Sequence, residues 1–266
     1  MPHRLHPSQR LHPLFSAEGE VALADLLLLR PLMAFDFDGT LAPIVARPED
    51  ARIPKGVTTR LHALAARLPV AIVTGRALAD LQGRLGFEPR FVVGNHGAED
   101  SLDPARNALL ADRLEGLRYR ALERAAELSA AGVLFEDKGA SVALHYRLAR
   151  DRARAQTLID DLLSPADPAL CVFAGKMVVN VTAADAPNKA HAVHALVARS
   201  GAGAAFFAGD DINDEPVFGS APAHWLTVRV GRDGVASKAR FCVDGPRDMP
   251  VLLDKVLAIL ARHGTA

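Results

Sequence analysis

Apolar residues along this chain fall into short unbroken runs that alternate with longer stretches of helical spacing. The runs at 32–35, 70–73 and 91–93 contain no polar break and predict strands buried on both faces. The stretches at 55–68 and 77–85 carry apolar residues at the spacing of a helix. Strands and helices that alternate through short links are typical of β-α-β units, so we expect a parallel sheet with its ligands at the carboxyl ends of the strands.

The central part of the chain has a different pattern. It predicts a long helix, a strand pair, a second helix and a second strand pair, at 108–131, 133–136 with 141–146, 150–163, and 170–174 with 177–181. Short hairpins combined with helices indicate a separate α+β unit, which we place as an insertion at 106–184. The alternating pattern resumes with elements at 189–199, 204–208, 225–230, 240–243 and 249–262. The expected α/β core is therefore formed by 31–105 and 185–266.

The first thirty residues precede this core. Residues 1–13 contain three histidines and three prolines, and we expect them to form a poorly ordered leader. Residues 21–29 are apolar, but the stretch contains Asp25 and is too short to cross a bilayer. We interpret it as a helix packed on the core.

Composition narrows the range of partners and compartments. Lys plus Arg and Asp plus Glu are both 31, so the formal net charge is zero and there is no basic excess to favour nucleic acid or an anionic membrane. Cys171 and Cys242 are far apart and lie in apolar runs, where we expect buried free thiols. This cysteine usage is typical of a reducing cytoplasm.

Two acids follow the first predicted core strand at once. Asp36 and Asp38 are two residues apart, so in an extended chain both carboxylates point to one side. Like charges this close repel each other unless a cation or a shared proton offsets them. An isolated Asp-x-Asp at a solvated strand end is also common, but here we expect a divalent metal.

Other polar residues occur where further predicted strands end or a helix begins. They are Thr74, Lys189, Asp210, Asp211 and Asp214. Taken alone, a threonine there is typical of a turn and a lysine of a solvated helix. Because the carboxyl ends of parallel strands meet at one edge of the sheet, we expect all of them in one pocket, where a hydroxyl and an ammonium group would bind phosphoryl oxygens.

This set of groups matches the needs of phosphoryl transfer. Asp36 can act as the nucleophile and form an aspartyl-phosphate, and Asp38 can protonate the leaving oxygen and later deprotonate water. Mg²⁺ prefers a few carboxylates with water and phosphate, which matches Asp36, the backbone carbonyl of Asp38, and Asp210. Asp211 or Asp214 would hold the metal's waters or the ammonium group of the lysine.

The order of these motifs resembles that of the haloacid dehalogenase superfamily of phosphatases. The shared elements are Asp-Phe-Asp-Gly-Thr at 36–40, the strand-end threonine, the later lysine, and Gly-Asp-Asp-x-x-Asp-Glu at 209–215. Three further segments are similar to the trehalose-6-phosphate phosphatase family, at 94–99, at 136–139 followed by 144–147, and at 175–179. The resemblance covers residue 30 to the end and implies a Rossmann-like core with an inserted C2-type cap, Mg²⁺ dependence, and hydrolysis of trehalose 6-phosphate to trehalose and phosphate.

The resemblance also implies which residues bind the sugar. Glu136 and Lys138 match family positions that contact the glucose rings, although without the family they would indicate a charged hairpin tip in water. For His96 a structural hydrogen bond is the alternative, and Arg147 could instead orient the cap together with His145. The expected substrate-binding set is Gly75, Arg76, Asn95, His96, Glu136, Lys138, Arg147 and Asn180.

The chain departs from the family pattern at three positions. Asn180 stands where the family usually has glutamate, so one sugar contact would carry no charge. Ala190 replaces a common glycine and Asn213 a common threonine. The expected catalytic set is complete, and the specificity set is not.

Other functions remain as alternatives. Because of Asn180, one alternative is a phosphatase that acts on another sugar phosphate, such as sucrose or glucosylglycerol phosphate. A phospho-aspartate receiver also uses acids, a threonine and a lysine, but the inserted unit and the spacing of Asp36 and Asp38 argue against it. A silent sugar-binding protein would require the loss of an acid, and none is lost. We expect a cytoplasmic monomer whose partner is a phosphorylated disaccharide.

Overall fold

The computed structural model describes residues 11–175, 177–232 and 236–263, which form two compact units. Unit 1 comprises the described residues up to Thr74, Gln82–Val92, and the described residues from Lys189 onward. Unit 2 comprises Gly75–Leu81 and the described part of Val93–Asn188. The first ten residues of the expected leader, and Lys176 in the family-like segment 175–179, lie outside the described residues.

Strands and helices are numbered here in chain order. The strands are β1 (His12–Pro13), β2 (Leu32–Phe35), β3 (Val70–Val73), β4 (Phe91–Gly94), β5 (Glu99–Asp100), β6 (Leu134–Asp137), β7 (Ser141–His145), β8 (Leu170–Gly175), β9 (Val178–Ala183), β10 (Ala205–Gly209), β11 (Leu226–Val230) and β12 (Phe241–Val243). The α-helices are α1 (Ala17–Leu28), α2 (Lys55–Ala65), α3 (Leu78–Leu81), α4 (Pro104–Asp112), α5 (Glu115–Glu123), α6 (Ala125–Ala130), α7 (Arg152–Leu162), α8 (Lys189–Ser200), α9 (Glu215–Ser220) and α10 (Met249–His263). None of these described helices is long and apolar enough to cross a membrane.

Unit 1 is built on a parallel sheet. Its strand order is β1-β12-β11-β10-β2-β3-β4, and the pairs from β1 to β3 along this order are parallel. Every residue of β2, β3 and β10 is buried, which is why these strands have unbroken apolar runs. The predicted parallel α/β core is confirmed.

The last residues of the expected leader pair with the sheet of unit 1. His12 and Pro13 form β1, which pairs with β12, the strand that would otherwise be the edge of the sheet, and the amide of Leu14 donates to the carbonyl of Cys242 at 2.8 Å. The expectation of a poorly ordered leader is therefore wrong for the described residues of this stretch, because an edge strand offers unpaired backbone groups that even a short segment can satisfy. The predicted helix is confirmed as α1, and it buries Leu23 and two neighbouring leucines.

Unit 2 contains an antiparallel sheet with the order β6-β7-β9-β8. Alternate side chains on one face, such as Val142 and Val181, join an apolar cluster with Leu117, Leu128 and Ile159 from the helices. The other face carries polar residues such as Glu136 and Asn180 together with Phe173 in the same row. This is the α+β architecture that the central pattern predicted.

The prediction of one long helix at 108–131 is wrong in detail. It is divided into α4, α5 and α6, and its start moves back because the Asp103 side chain caps the amide of Arg106 ahead of Pro104. At the first break, the carbonyl of Ala111 accepts from the amide of Leu114 at 3.0 Å and from the Arg118 guanidinium at 2.7 Å. The apolar spacing continues across the breaks, so it could not reveal them.

Two further expectations need correction. The helix predicted at 77–85 is only the short α3, and Gly83 and Gly86 follow it with positive φ. Cys242 is buried as expected, but Cys171 is exposed, because β8 is an edge strand of the smaller sheet. Both thiols are free.

The compact unit that contains the smaller sheet is larger than the proposed insertion at 106–184. It includes 93–105, where the end of β4 pairs antiparallel with β5. It also includes 75–81, whose backbone is bonded to the residues that follow β4. These are backbone contacts made by residues between the predicted strands and helices, so strand and helix patterns did not indicate them.

Candidate active site

The candidate site of unit 1 lies at the carboxyl ends of its central strands. Asp36 follows β2, and its amide donates to the carbonyl of Ala208 on β10 at 2.9 Å. Since Phe35 pairs with Ala208, Asp36 is level with the last residue of β10, and Asp210 follows directly. Carboxylate oxygens of Asp36, Asp210 and Asp214 all lie within 4.8 Å of one another. The structure thus brings together acids from both predicted clusters.

Lys189, the first residue of α8, is bound between two of these acids. Its Nζ donates to Asp36 Oδ1 at 2.7 Å and to Asp214 Oδ1 at 2.6 Å, and the side chain is 3% exposed. Burial alone would lower the pKa of Lys189, but the charges of Asp214 and Asp36 outweigh this effect and raise it. The ammonium group is therefore charged and fixed in position.

The acids nevertheless outnumber the cation. Burial raises the pKa of Asp36 well above its usual value in spite of Lys189, and the charges of Asp214 and Asp210 add to the rise. Burial also raises the pKa of Asp210 to about 7, again with a contribution from Asp214. Three close carboxylates and one ammonium group leave an excess of negative charge that a bound divalent cation would neutralise.

Two glycines make room for this arrangement. Gly39 has φ +76°, and a Cβ on it would lie 2.0 Å from Asp210 Oδ2. A Cβ on Gly209 would lie 2.3 Å from Cγ of Asp214. The backbone thus approaches the carboxylates more closely than any residue with a side chain would allow, and the carboxylate cluster fits a Mg²⁺ site.

Gly39→Ala is expected to damage this site. The added methyl group must displace the Asp210 carboxylate, so we expect Mg²⁺ affinity to fall by at least about tenfold, as for lost positioning of a metal ligand. Isothermal titration with Mg²⁺ measures the change. Gly201→Ala is the matched control, because Gly201 has φ +74° but nothing within 4 Å of its added Cβ. Equal affinities in the two variants would contradict the prediction.

The pKa values of the acids predict how Mg²⁺ affinity depends on pH. Below about pH 7 Asp210 retains a proton that a metal ion must displace, whereas above it the carboxylate is already ionised. The apparent affinity for Mg²⁺ should therefore rise by up to about tenfold per pH unit for each proton released. This rise should level off above about pH 7. Titrations between pH 5.5 and 8 in buffers of different ionisation enthalpy count the protons, and a flat profile would contradict the prediction.

The remaining predicted core residues are near the same strand ends. Thr74 follows β3, the neighbour of β2, and is 1% exposed. Asp38 is half-buried in the turn after β2, where it forms a bridge with Ala42. Asp211 caps a short helical turn by accepting from the amide of Ile212 at 2.7 Å. Among the described residues, the carboxylate cluster that could hold a metal ion does not include Asp38 and Asp211.

An arginine that was not among the predicted site residues also lies near this site. Arg229 on β11 is 3% exposed, its guanidinium lies 3.3 Å from a Glu215 carboxylate oxygen, and its charge opposes the rise in the pKa of Asp210. An arginine within the apolar run 226–230 was the available signal, because a buried strand rarely carries a charge without a partner.

In unit 2, Glu136 and Lys138 belong to the polar face of the small sheet and its first hairpin. Glu136 Oε2 lies 2.7 Å from His145 Nε2 and 3.6 Å from Lys138 Nζ. The hydrogen bond to His145 and the charge of Lys138 lower the pKa of Glu136 although burial opposes them. Asn180 is 4% exposed and pairs with Ala143, which in turn pairs with Glu136, so the two polar residues share one row across the sheet.

The other expected binding residues have different surroundings. The His96 ring packs edge-on against Phe173 at 5.3 Å between centroids, and a Cβ on Gly75 would lie 2.4 Å from that ring. Arg76 forms an ion pair with Asp80 at 2.5 Å. Arg147 is exposed in the turn that follows β7.

Comparison with known proteins places this arrangement in a family. The model of the trehalose-phosphatase family matches residues 34–244, which include every predicted core and substrate-binding residue. The chain belongs to the trehalose-phosphatase family. A probable trehalose-phosphate phosphatase of Sinorhizobium fredii is 37% identical over 211 residues, which are 77% of this chain and 79% of that protein. A trehalose-phosphate phosphatase of Mycobacterium avium is 36% identical over 81% of this chain and 59% of its own length.

Solved structures share the fold. The C-terminal domain of Candida albicans trehalose-6-phosphate phosphatase has a TM-score of 0.73 and 20% identity, over 95% of this chain and 99% of that chain. A trehalose-6-phosphate phosphatase related protein has a TM-score of 0.71 and 23% identity, over 87% and 99%. The expected fold class, a haloacid dehalogenase core with an inserted α+β unit, is confirmed for this trehalose-phosphatase family member, and the receiver alternative is excluded.

Proposed function

We propose that this protein is a cytoplasmic, Mg²⁺-dependent phosphatase that hydrolyses trehalose 6-phosphate to trehalose and phosphate. The observation that carries the proposal is the buried Asp36 carboxylate, bonded to Lys189 and next to Asp210 and Asp214, in a chain of the trehalose-phosphatase family. The chain covers 59% of its Mycobacterium avium relative, so activities of that longer protein as a whole are not implied.

In the proposed first step, a carboxylate oxygen of Asp36 attacks phosphorus and the bond from phosphorus to the sugar oxygen breaks. Asp38 gives a proton to that oxygen, so the sugar leaves as a neutral alcohol. Lys189 and Thr74 bind phosphoryl oxygens, and Lys189 also holds Asp36 in place through its 2.7 Å hydrogen bond. In the second step Asp38 takes a proton from water, which attacks the aspartyl-phosphate and releases phosphate.

The proposed metal ligands are Asp36, the Asp38 carbonyl and Asp210, with Asp214 holding Lys189. When bound, Mg²⁺ supplies positive charge that offsets the repulsion between the carboxylates and the phosphoryl group. Asp211 is proposed to keep the turn before α9 in position, because its side chain is bonded to the amide of Ile212.

Recognition of the sugar is proposed to belong to unit 2. Sugar hydroxyls require polar groups on rigid elements, and Glu136, Lys138 and Asn180 are on or next to strands of one sheet. Asn180 can accept a hydrogen bond but carries no charge. This residue favours a second candidate function, hydrolysis of another phosphorylated sugar such as sucrose or glucosylglycerol phosphate by the same chemistry.

Glu136→Ala tests the proposed sugar recognition. Loss of a charged hydrogen-bond acceptor should lower kcat/KM for trehalose 6-phosphate by about 10- to 100-fold. The kcat/KM for a small aryl phosphate, which has no disaccharide to recognise, should change by less than about threefold. Phosphate release by the wild-type protein and the variant on both substrates gives the comparison.

The matched control is Glu127→Ala, which removes an exposed glutamate of the same unit that is paired with Arg124. It should leave kcat/KM for both substrates unchanged. Equal losses on both substrates in Glu136→Ala would show that Glu136 does not recognise the sugar. Wild-type protein that does not hydrolyse trehalose 6-phosphate would overturn the proposed function itself.

A further inference from the structure

Asn95 makes more hydrogen bonds than a residue reserved for a substrate would make. It is completely buried, and its Nδ2 donates to Glu99 Oε2 at 2.8 Å and to the carbonyl of Lys138 at 2.9 Å. Its Oδ1 accepts from the Ser141 hydroxyl at 2.7 Å. Both amide hydrogens are thus engaged and the amide oxygen accepts one bond, and because the side chain is completely buried a sugar hydroxyl could reach it only by displacing its neighbours.

The backbone at this position is held just as firmly. Asn95 has φ +48° and His96 φ +58°, a left-handed conformation that costs free energy and persists only where its surroundings impose it. The amide of Asn95 donates to the carbonyl of Arg76 at 2.8 Å. Asparagine tolerates this conformation better than most residues, which explains its presence here without any role in substrate binding.

These bonds connect three segments of unit 2. Glu99 Oε2 also accepts from the amide of Leu78 at 2.8 Å, so the segment 75–81 is tied to the residues after β4. Lys138 lies in the turn between β6 and β7 and Ser141 is the first residue of β7, and Asn95 binds both of them. Asn95 is therefore the shared partner of the 75–81 segment, the residues after β4, and the β6–β7 hairpin.

Lys138 is fixed from several directions as a result. Its amide donates to the carbonyl of Ser141 at 2.9 Å, and its own carbonyl accepts from Asn95. Its Nζ lies 3.5 Å from the carbonyl of Gly75 and 3.6 Å from Glu136 Oε2. A side chain held this way loses little rotamer entropy when it binds a ligand.

We propose that Asn95 is a positioning residue, which fixes the turn between β6 and β7 so that Lys138 is already arranged for the sugar. This inference deepens the proposed function and rests on it. It replaces the sequence-based expectation that Asn95 contacts the substrate.

Asn95→Gly tests the proposal, because glycine removes the amide group and accepts the positive φ without strain. We expect KM for trehalose 6-phosphate to rise by about tenfold, with kcat changed by less than about threefold, as for lost pre-organisation of a binding group. The same substitution in a Lys138→Ala background should add almost nothing to KM, because Asn95 acts through Lys138. A full additional rise in that background would mean that Asn95 contacts the sugar itself, and would overturn the proposal.

Hydrogen–deuterium exchange gives a second readout that needs no substrate. Asn95→Gly should accelerate exchange of backbone amides at 136–141, since the turn loses the donor to its Lys138 carbonyl. Unchanged exchange would overturn the proposal whatever the enzyme hydrolyses. Failure of wild-type protein to hydrolyse trehalose 6-phosphate, with exchange accelerated as expected in the variant, would instead refute the proposed substrate and retain the positioning of the turn.

Two further variants control for loss of folding. Ser141→Ala removes a single partner of Asn95 and should change KM and exchange in the same direction by a smaller amount. Gln156→Ala removes an amide of the same unit. Among the bonds described, this amide is bonded only to Asp160, one turn further along α7, so its loss should change neither KM nor the exchange rate. An effect of Gln156→Ala equal to that of Asn95→Gly would show general loosening of unit 2 and would also overturn the proposal.

Discussion

Asp36→Asn is expected to lower phosphate release by at least about 10⁴-fold, because it removes the proposed nucleophile. The amide has nearly the same size as the carboxylate and is a poor nucleophile. One Lys189 hydrogen bond can persist through the amide oxygen, so the protein should remain folded. Steady-state phosphate release and circular dichroism of the same preparation measure both effects.

The matched control for this substitution is Asp254→Asn. Asp254 belongs to the same unit and is also paired with a basic residue, Arg60, at 2.7 Å, but the pair is exposed. Exposed ion pairs contribute about 0–1 kcal/mol, so this variant should keep both activity and fold. Phosphate release by Asp36→Asn at the control's rate would refute the proposed nucleophile.

Lys189→Met should have the largest effect on stability. It leaves the carboxylates of Asp36 and Asp214 buried without their ammonium partner, and breaking such a buried pair costs about 3–5 kcal/mol. Urea unfolding at pH 7.5 with a chelator present measures the free energy of unfolding. Phosphate release should also fall, because a group proposed to bind the phosphoryl oxygens has been lost.

The loss of stability in Lys189→Met should depend on pH. Burial already raises the pKa of Asp36 above its unfolded value, and loss of the Lys189 charge that opposes this rise increases it further. The native state of the variant therefore binds more protons, and its stability falls as pH rises. The difference from wild type should therefore shrink between about pH 7.5 and about pH 5. Lys255→Met is the control, since it breaks an exposed pair with Glu20. Equal losses in the two variants would contradict the prediction.

The core of the site could be predicted from the sequence because one rule places it. Parallel strands end at a common edge, so the polar residues after β2, β3 and β10 had to be close in space. The apolar runs located those strands to within a residue or two. Asp36, Asp210 and Asp214 are accordingly near one another, as expected.

Contacts that depend on side chains from distant segments could not be predicted. Nothing near Asn95 in the sequence indicates that its amide would bind Lys138 and Ser141, more than forty residues away. The division of the 108–131 helix was hidden for a different reason, because the apolar spacing continues through its breaks. Arg229 was visible as a charge in an apolar run, but its partner Glu215 was not.

The central claim is best tested by kcat/KM for Mg²⁺-dependent phosphate release from trehalose 6-phosphate, sucrose 6-phosphate, glucosylglycerol phosphate and glucose 6-phosphate, with Asp36→Asn as the blank. The proposal predicts that kcat/KM is at least about 100-fold higher for trehalose 6-phosphate than for the other substrates, since sugar-binding groups discriminate by several kcal/mol. A lead by another sugar phosphate would retain the chemistry of unit 1 but contradict the assigned substrate. Turnover of none of them above the Asp36→Asn blank would contradict the account as a whole.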